Sequence, residues 1–237
     1  MVENEERHSF FFDPRFQVVI TWVWSAIGAF VITAFVSSLI SANIVANRTV
    51  LSEHPDLVII PILGEIVAVG LLPVLFTILS RDDTVLYGLR ARQLGKSLLL
   101  SLLVAAVYCV ALFGTEMSHI SLGGLPGLPP SPVNLLYAIL AVFAYGPLEV
   151  FFVVWLIHNT DRIFKTEAQI VSRGLIITVV VYGILHTFSA GIATLAIALR
   201  FLAFGLIYKY TKNSVGPMVG WTITNDFIWF LLGVLNL

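Results

Sequence analysis

The chain predicts an all-α fold, a polytopic membrane bundle of about seven transmembrane helices. Three observations carry that expectation. The 237 residues are 58% apolar, with a mean hydropathy of +0.95. Only 11% are charged, whereas soluble domains run near a quarter. Apolar runs recur at the roughly 20-residue length that a bilayer core demands. Lipid offers no partner to an open backbone, so each run should be a helix. The division expected is a polar N-terminal segment, 1–16, and one transmembrane domain, 17–237.

The N-terminal stretch MVENEERHSFFFDPRFQ is acidic and polar, without the basic start and small-residue cleavage site of a signal peptide, so the first apolar run, 17–40, reads as a retained helix. The following connection holds Asn47-Arg48-Thr49, formally a glycosylation sequon. The second run, 57–79, contains Gly64-Glu65. After it, SRDDTVLYGLRARQLGKS reads as an amphipathic basic segment lying along the membrane surface. The third run, 97–114, holds Cys109, a lone cysteine that gives neither a disulfide framework nor a cysteine metal site. SLGGLPGLPPSPVN, rich in Gly and Pro, reads as an irregular extracytoplasmic loop. The fourth run is 133–157; the fifth and sixth, 170–189 and 191–209, meet around Gly191; the seventh is 214–236.

Basic residues sort to alternate connections. Arg7 and Arg15 precede the first run, and Arg81, Arg90, Arg92 and Lys96 follow the second. Arg162, Lys165 and Arg173 lie between the fourth and fifth, and Lys209 and Lys212 follow the sixth; the other side holds only Arg48. The positive-inside rule then places the N-terminus in the cytoplasm and the C-terminus outside. A net charge of −1 gives no basis for a nucleic-acid partner.

Ionisable groups inside spans are rare and face the protein interior. Here they are Glu65, Glu149, His186, Arg200 and Asp226, with Asn225 as a neutral companion. Glu149 lies 13 residues before Arg162, His186 lies 13 after Arg173, and Asn225 lies 13 after Lys212. At ~1.5 Å per residue each sits about 20 Å from the basic rim. Arg200, nine residues before Lys209, comes to a comparable level. A buried carboxylate can take a proton from water, a histidine can share it, and an Asn amide can donate to a developing oxyanion. That set fits amide hydrolysis within the membrane. Glu and His are too few for a tight zinc centre. No divalent metal is firmly implied, and Glu149 and His186 are the ligands if one binds.

Three motifs then fall on successive helices: Pro147-Leu148-Glu149-Val150-Phe151-Phe152, Tyr182-Gly183-Ile184-Leu185-His186, and Trp221-Thr222-Ile223-Thr224-Asn225. Their order and spacing resemble the CPBP intramembrane proteases, also called the Abi or CAAX-prenyl-protease-like family. That family carries Glu-Glu-x-x-x-Arg, Phe-x-x-x-His and His-x-x-x-Asn elements. The similarity extends through LYGLRARQLGKSLLL and FLAFGLIYKYTKNSVGPMVGW, over about 80–237. The resemblance implies a helical membrane fold in which Glu149 activates water, His186 partners it and Asn225 donates to the oxyanion. It implies a membrane-bound or lipidated peptide as substrate. The chain departs from the family at four points: one glutamate stands where the family has two, the motif Arg is missing, Tyr182 stands in place of the second-motif Phe, and Trp221 replaces the third-motif His. Tryptophan neither accepts a proton nor binds metal.

Each residue also has a plainer role. Glu149 could pair with Arg200 to fix helix packing, Asp226 could pair with Arg200, and Asn225 could be polar glue between helices. His186 could bond a backbone carbonyl. Trp221 shares a helix face with Asn225 and plugs the space a His would reach. Tyr182 lines the same layer, and Glu65 reads as structural. His158, His119 and His54 read as solvated, and Trp22, Trp24, Trp155 and Trp229 as interface anchors or packing. Two functions follow: an intramembrane protease, or a catalytically silent relative serving as membrane scaffold or binding subunit of a larger complex. A proton-coupled carrier is weaker, because the chain shows no inverted repeat.

Overall fold

A computed structural model describes residues 13–40, 59–113, 131–190 and 194–235. Asn47, His54, His119 and the Gly/Pro-rich stretch up to 130 lie outside those residues. Every regular element among the described residues is helical.

The first helix, α1, is Pro14–Ile40. The second run splits into α2 (Ile59–Glu65), a π turn (Ile66–Gly70) and α3 (Leu71–Leu79). Helix α4 is Leu94–Phe113. The fourth run splits likewise into α5 (Pro132–Phe143), a π turn (Ala144–Leu148) and α6 (Glu149–Phe164). Then come α7 (Arg173–Ala190), α8 (Thr194–Thr211), α9 (Val215–Thr224) and α10 (Asp226–Val234).

Five helical stretches are long and apolar enough to cross a membrane: Pro14–Ile32, Ile59–Leu79, Leu94–Ala111, Pro132–Phe164 and Thr194–Thr211; the apolar part of α7, Arg173–His186, is shorter. Large apolar side chains point outward along them, including Phe30, Ile78, Val107, Val110 and Leu195. A bilayer is the environment that covers such a belt, and this is the build of an integral membrane protein.

Three sequence expectations change in detail. The seventh run is two helices, because Asn225 is extended between them (φ −95°, ψ 140°). The segment after α3 is no surface helix: only Thr84–Tyr87 is helical, a short 3-10 turn that Gly88 ends in the left-handed region (φ 80°). A side chain at Gly88 would also meet the Ser214 backbone. Tyr87 is fully buried and edge-on to Phe151 and His158. His158 is therefore packed on a ring and half-buried, not solvated. Burial, reinforced by the Asp82 carboxylate it donates to, pushes the Tyr87 phenol well above its ordinary range.

The two π turns organise the middle of the bundle. A π turn widens the helix and leaves its carbonyls poorly served, so neighbours supply donors. Trp24 Nε1 donates to the Val67 carbonyl and Ser25 Oγ to that of Ala68, both at 2.8 Å. Gly28 lets α1 close on Ala68, and Gly70 lets the first π turn close on Leu148 of the second. Close approach through small residues replaces the hydrophobic driving force that lipid cannot provide. Trp22 meets Phe152 edge-on, and Trp155 is buried and stacked on Phe76, so both are packing residues.

The basic connections gather at one end. Gln17 Nε2 donates to Ser80 Oγ at 3.3 Å, and Lys96 Nζ to the Tyr210 hydroxyl at 2.7 Å. The Asn213 amide, fully buried, donates to the Arg90 and Arg92 carbonyls at 2.5 and 3.2 Å. Lys209 pairs with Asp161 at 2.5 Å, and both are buried.

Candidate functional site

Glu149 is the first residue of α6, directly after the second π turn, and is 3% exposed. Each of its oxygens meets a donor from a different helix. The Tyr182 hydroxyl of α7 donates to Oε1 at 2.7 Å, and the Trp221 indole N–H of α9 donates to Oε2 at 2.6 Å. Charge-assisted bonds of this kind are about twice as strong as neutral ones.

His186 lies one turn beyond Tyr182. Its Nδ1 is 3.0 Å from the Tyr182 carbonyl oxygen. A carbonyl only accepts, so Nδ1 carries a proton and donates. Nε2 then faces Glu149 Oε1 at 4.0 Å, which is an electrostatic approach and too long for a hydrogen bond.

Arg200 reaches the group through the indole. Its guanidinium lies 4.6 Å from the Trp221 ring centroid and 4.4 Å from that of Tyr108. Its Nη1 donates to the Thr224 carbonyl at 2.6 Å. Trp221 thus has a cation over its face and a carboxylate at its edge. Phe201 lies on Trp221 at 3.9 Å between centroids and meets Tyr182 edge-on at 4.7 Å. The carboxylate sits in an aromatic enclosure.

Asn225 belongs elsewhere. The Glu149 N–H bonds the Ala144 and Gly146 carbonyls and passes over the one between them. Asn225 Nδ2 donates to that Tyr145 carbonyl at 2.8 Å. The amide read as an oxyanion donor therefore serves the π turn. Glu65 ends α2 just before the first π turn. The Asp226 side chain lies outside the described residues.

The structure thus brings Glu149, His186, Tyr182 and Trp221 together, with Arg200 behind the indole. Sequence reasoning missed the Tyr182 hydroxyl as a Glu149 donor. The signal was present: a tyrosine one turn before His186 adds a hydroxyl donor beside the residues already singled out. It also took Lys209 and Arg162 only as rim markers, and nothing in the sequence marks Asp161 as the buried partner of Lys209.

A void between α6, α8 and α9, beside Val150, Phe201 and Pro217, holds about 10 Å³ and has apolar walls. That is one water at most. Among the described residues no three His, Cys, Asp or Glu side chains are grouped as a metal would need. Comparison of the chain with family models, with characterised proteins and with solved structures gives no match.

Proposed function

We propose that this is a membrane scaffold or binding subunit in which a hydrolytic-type arrangement has become a structural polar core. One observation carries the proposal: Trp221 occupies the position of the third-motif His and places its N–H on Glu149. An indole cannot take or relay a proton. With Tyr182 on the other oxygen, the carboxylate has a donor on each side and serves as an acceptor that joins α6, α7 and α9. The asparagine that would meet an oxyanion is bonded to a backbone carbonyl.

The chain crosses the bilayer seven times in this proposal, with its N-terminus in the cytoplasm. The gathering of the starts of α1, α4, α7 and α9 with the ends of α3, α6 and α8 at the basic end supports it. The partner would be another membrane protein.

A second function, an intramembrane protease acting on a membrane-bound or lipidated peptide, keeps one observation in its favour. His186 Nε2 approaches Glu149 with its ring orientation already fixed by the Tyr182 carbonyl. The deciding experiment is cleavage of membrane-anchored and prenylated peptides by the purified protein, beside Glu149→Gln and His186→Ala. The expected result is no cleavage by any form. Cleavage by the native chain that both substitutions abolish overturns the scaffold and establishes the protease.

A further inference from the structure

A second polar region lies at the basic end, away from Glu149. A cavity of about 470 Å³ opens between the 84–90 segment, the end of α6, the turn before α7 and the end of α8. Its charged walls are Arg90, Lys209, Lys212, Asp161 and Glu167, with His158 beside them. The charges are not equivalent. Asp161 is satisfied within the fold: Oδ2 takes Lys209 at 2.5 Å, and Oδ1 takes the Thr166 hydroxyl at 2.7 Å and the Gly174 N–H at 2.8 Å. That pair is neutral and buried. Arg90, Lys212 and the exposed Glu167 remain, a net positive wall.

Two features make this wall ready for an anion. Arg90 Nε is buried and has no hydrogen-bond partner among the described residues. The Arg90 guanidinium lines the cavity, and the forked donors of a guanidinium match phosphate oxygens two at a time. Lys212 lines the same cavity, its Nζ donating to the Glu167 carbonyl at 2.9 Å. Partial desolvation, together with the charges of Lys209 and Arg90, pulls Lys212 below the ordinary lysine range, so the cations here crowd one another.

The remaining walls are apolar. Val85 and Leu86 line the same cavity and are 42% and 46% exposed. They follow closely on the apolar stretch Ile59–Leu79, one of those long enough to cross a membrane. We infer that this cavity binds a membrane phospholipid, its phosphate held between Arg90 and Lys212 and its first acyl carbons laid against Val85 and Leu86. The site is independent of Glu149, so it stands whether or not the chain hydrolyses anything.

The test uses the full chain in an uncharged detergent, titrated with dihexanoylphosphatidylglycerol, with dihexanoylglycerol and with inorganic phosphate, and read by calorimetry. The phospholipid should bind saturably while the other two do not. Arg90→Gln and Lys212→Gln should each weaken binding about tenfold, as loss of a charge-assisted contact does. Lys96→Gln removes an equal charge at the same end, where Lys96 bonds Tyr210, and should leave binding unchanged. Inorganic phosphate binding as tightly as the lipid overturns the lipid as occupant. Equal loss in Lys96→Gln, or none in either cavity variant, overturns the site. If Arg90→Gln fails to fold, Lys212→Gln, at an exposed side chain, decides alone.

Discussion

Trp221 and Glu149 are joined edge to carboxylate, the indole N–H donating to Oε2 at 2.6 Å across the interface of α6 and α9. Both residues are nearly fully buried, at 2% and 3% exposure. Trp221→Phe keeps an aromatic face for Phe201 and Arg200 but removes the donor. It should lower stability by about 1–3 kcal/mol, the usual result of leaving one side of a buried bond unmet. Glu149→Gln should do less harm. Its amide oxygen still accepts from Trp221, and its NH2 donates to the Tyr182 hydroxyl, which can turn to accept. Thermal unfolding in detergent checks the order, and equal stability of native and Trp221→Phe protein would mean that the bond contributes nothing.

The buried Asp161–Lys209 pair ties the end of α6 to the end of α8. Lys209 also donates to the Glu167 carbonyl at 3.1 Å, and Asp161 also accepts from Gly174. Lys209→Met leaves a carboxylate buried without its cation and should cost about 3–5 kcal/mol. In Asp161→Asn/Lys209→Met no charge is stranded, and the Asn oxygen still accepts from Gly174. The double variant should therefore recover much of the loss. A double-mutant cycle on unfolding free energies measures this, and simple additivity of the two single losses would show that the charges are not coupled.

The helical class was legible because composition and run length are enough to identify membrane helices. Proximity was legible in part: counting from basic rims groups Glu149 with His186, and their side chains approach to 4.0 Å. Direction was not. Asn225 shares the count, yet it turns to the Tyr145 carbonyl because a π turn leaves that group needing a donor and because α9 stops just before it. A π turn carries no composition signal of its own. Pro147, inside the second one, is the single hint, since it has no N–H to give. The fourth apolar run ends at 157, because polar residues follow it. The helix runs on to Phe164, with Asn159 and Asp161 buried against their own partners.

Gly216 tests the packing of α9 on α4. A methyl group there would run into the backbone carbonyl of Ser97, which cannot swing aside as a side chain can. Gly216→Ala should destabilise the protein by about 1–3 kcal/mol, as overpacking does. Gly95 is the matched control in α4, because a methyl there meets nothing within 4 Å. Gly95→Ala should be neutral or stabilising by up to about 1 kcal/mol from helix propensity. Melting temperatures of the two variants should move in opposite directions or differ by several degrees.

Asn225 separates a structural from a chemical role for the third motif. Asn225→Leu has nearly the same shape but takes the donor from the Tyr145 carbonyl. It should cost about 1 kcal/mol, in the range of interhelical bonds within membranes. Asn225→Asp should cost more when ionised, because a carboxylate offers only lone pairs to the carbonyl it faces. Raising the proton concentration should then rescue Asn225→Asp and leave Asn225→Leu unmoved, since only the protonated acid regains a donor. Unfolding measured across pH in detergent reads both. An asparagine kept only for an oxyanion would leave stability untouched in both variants at every pH.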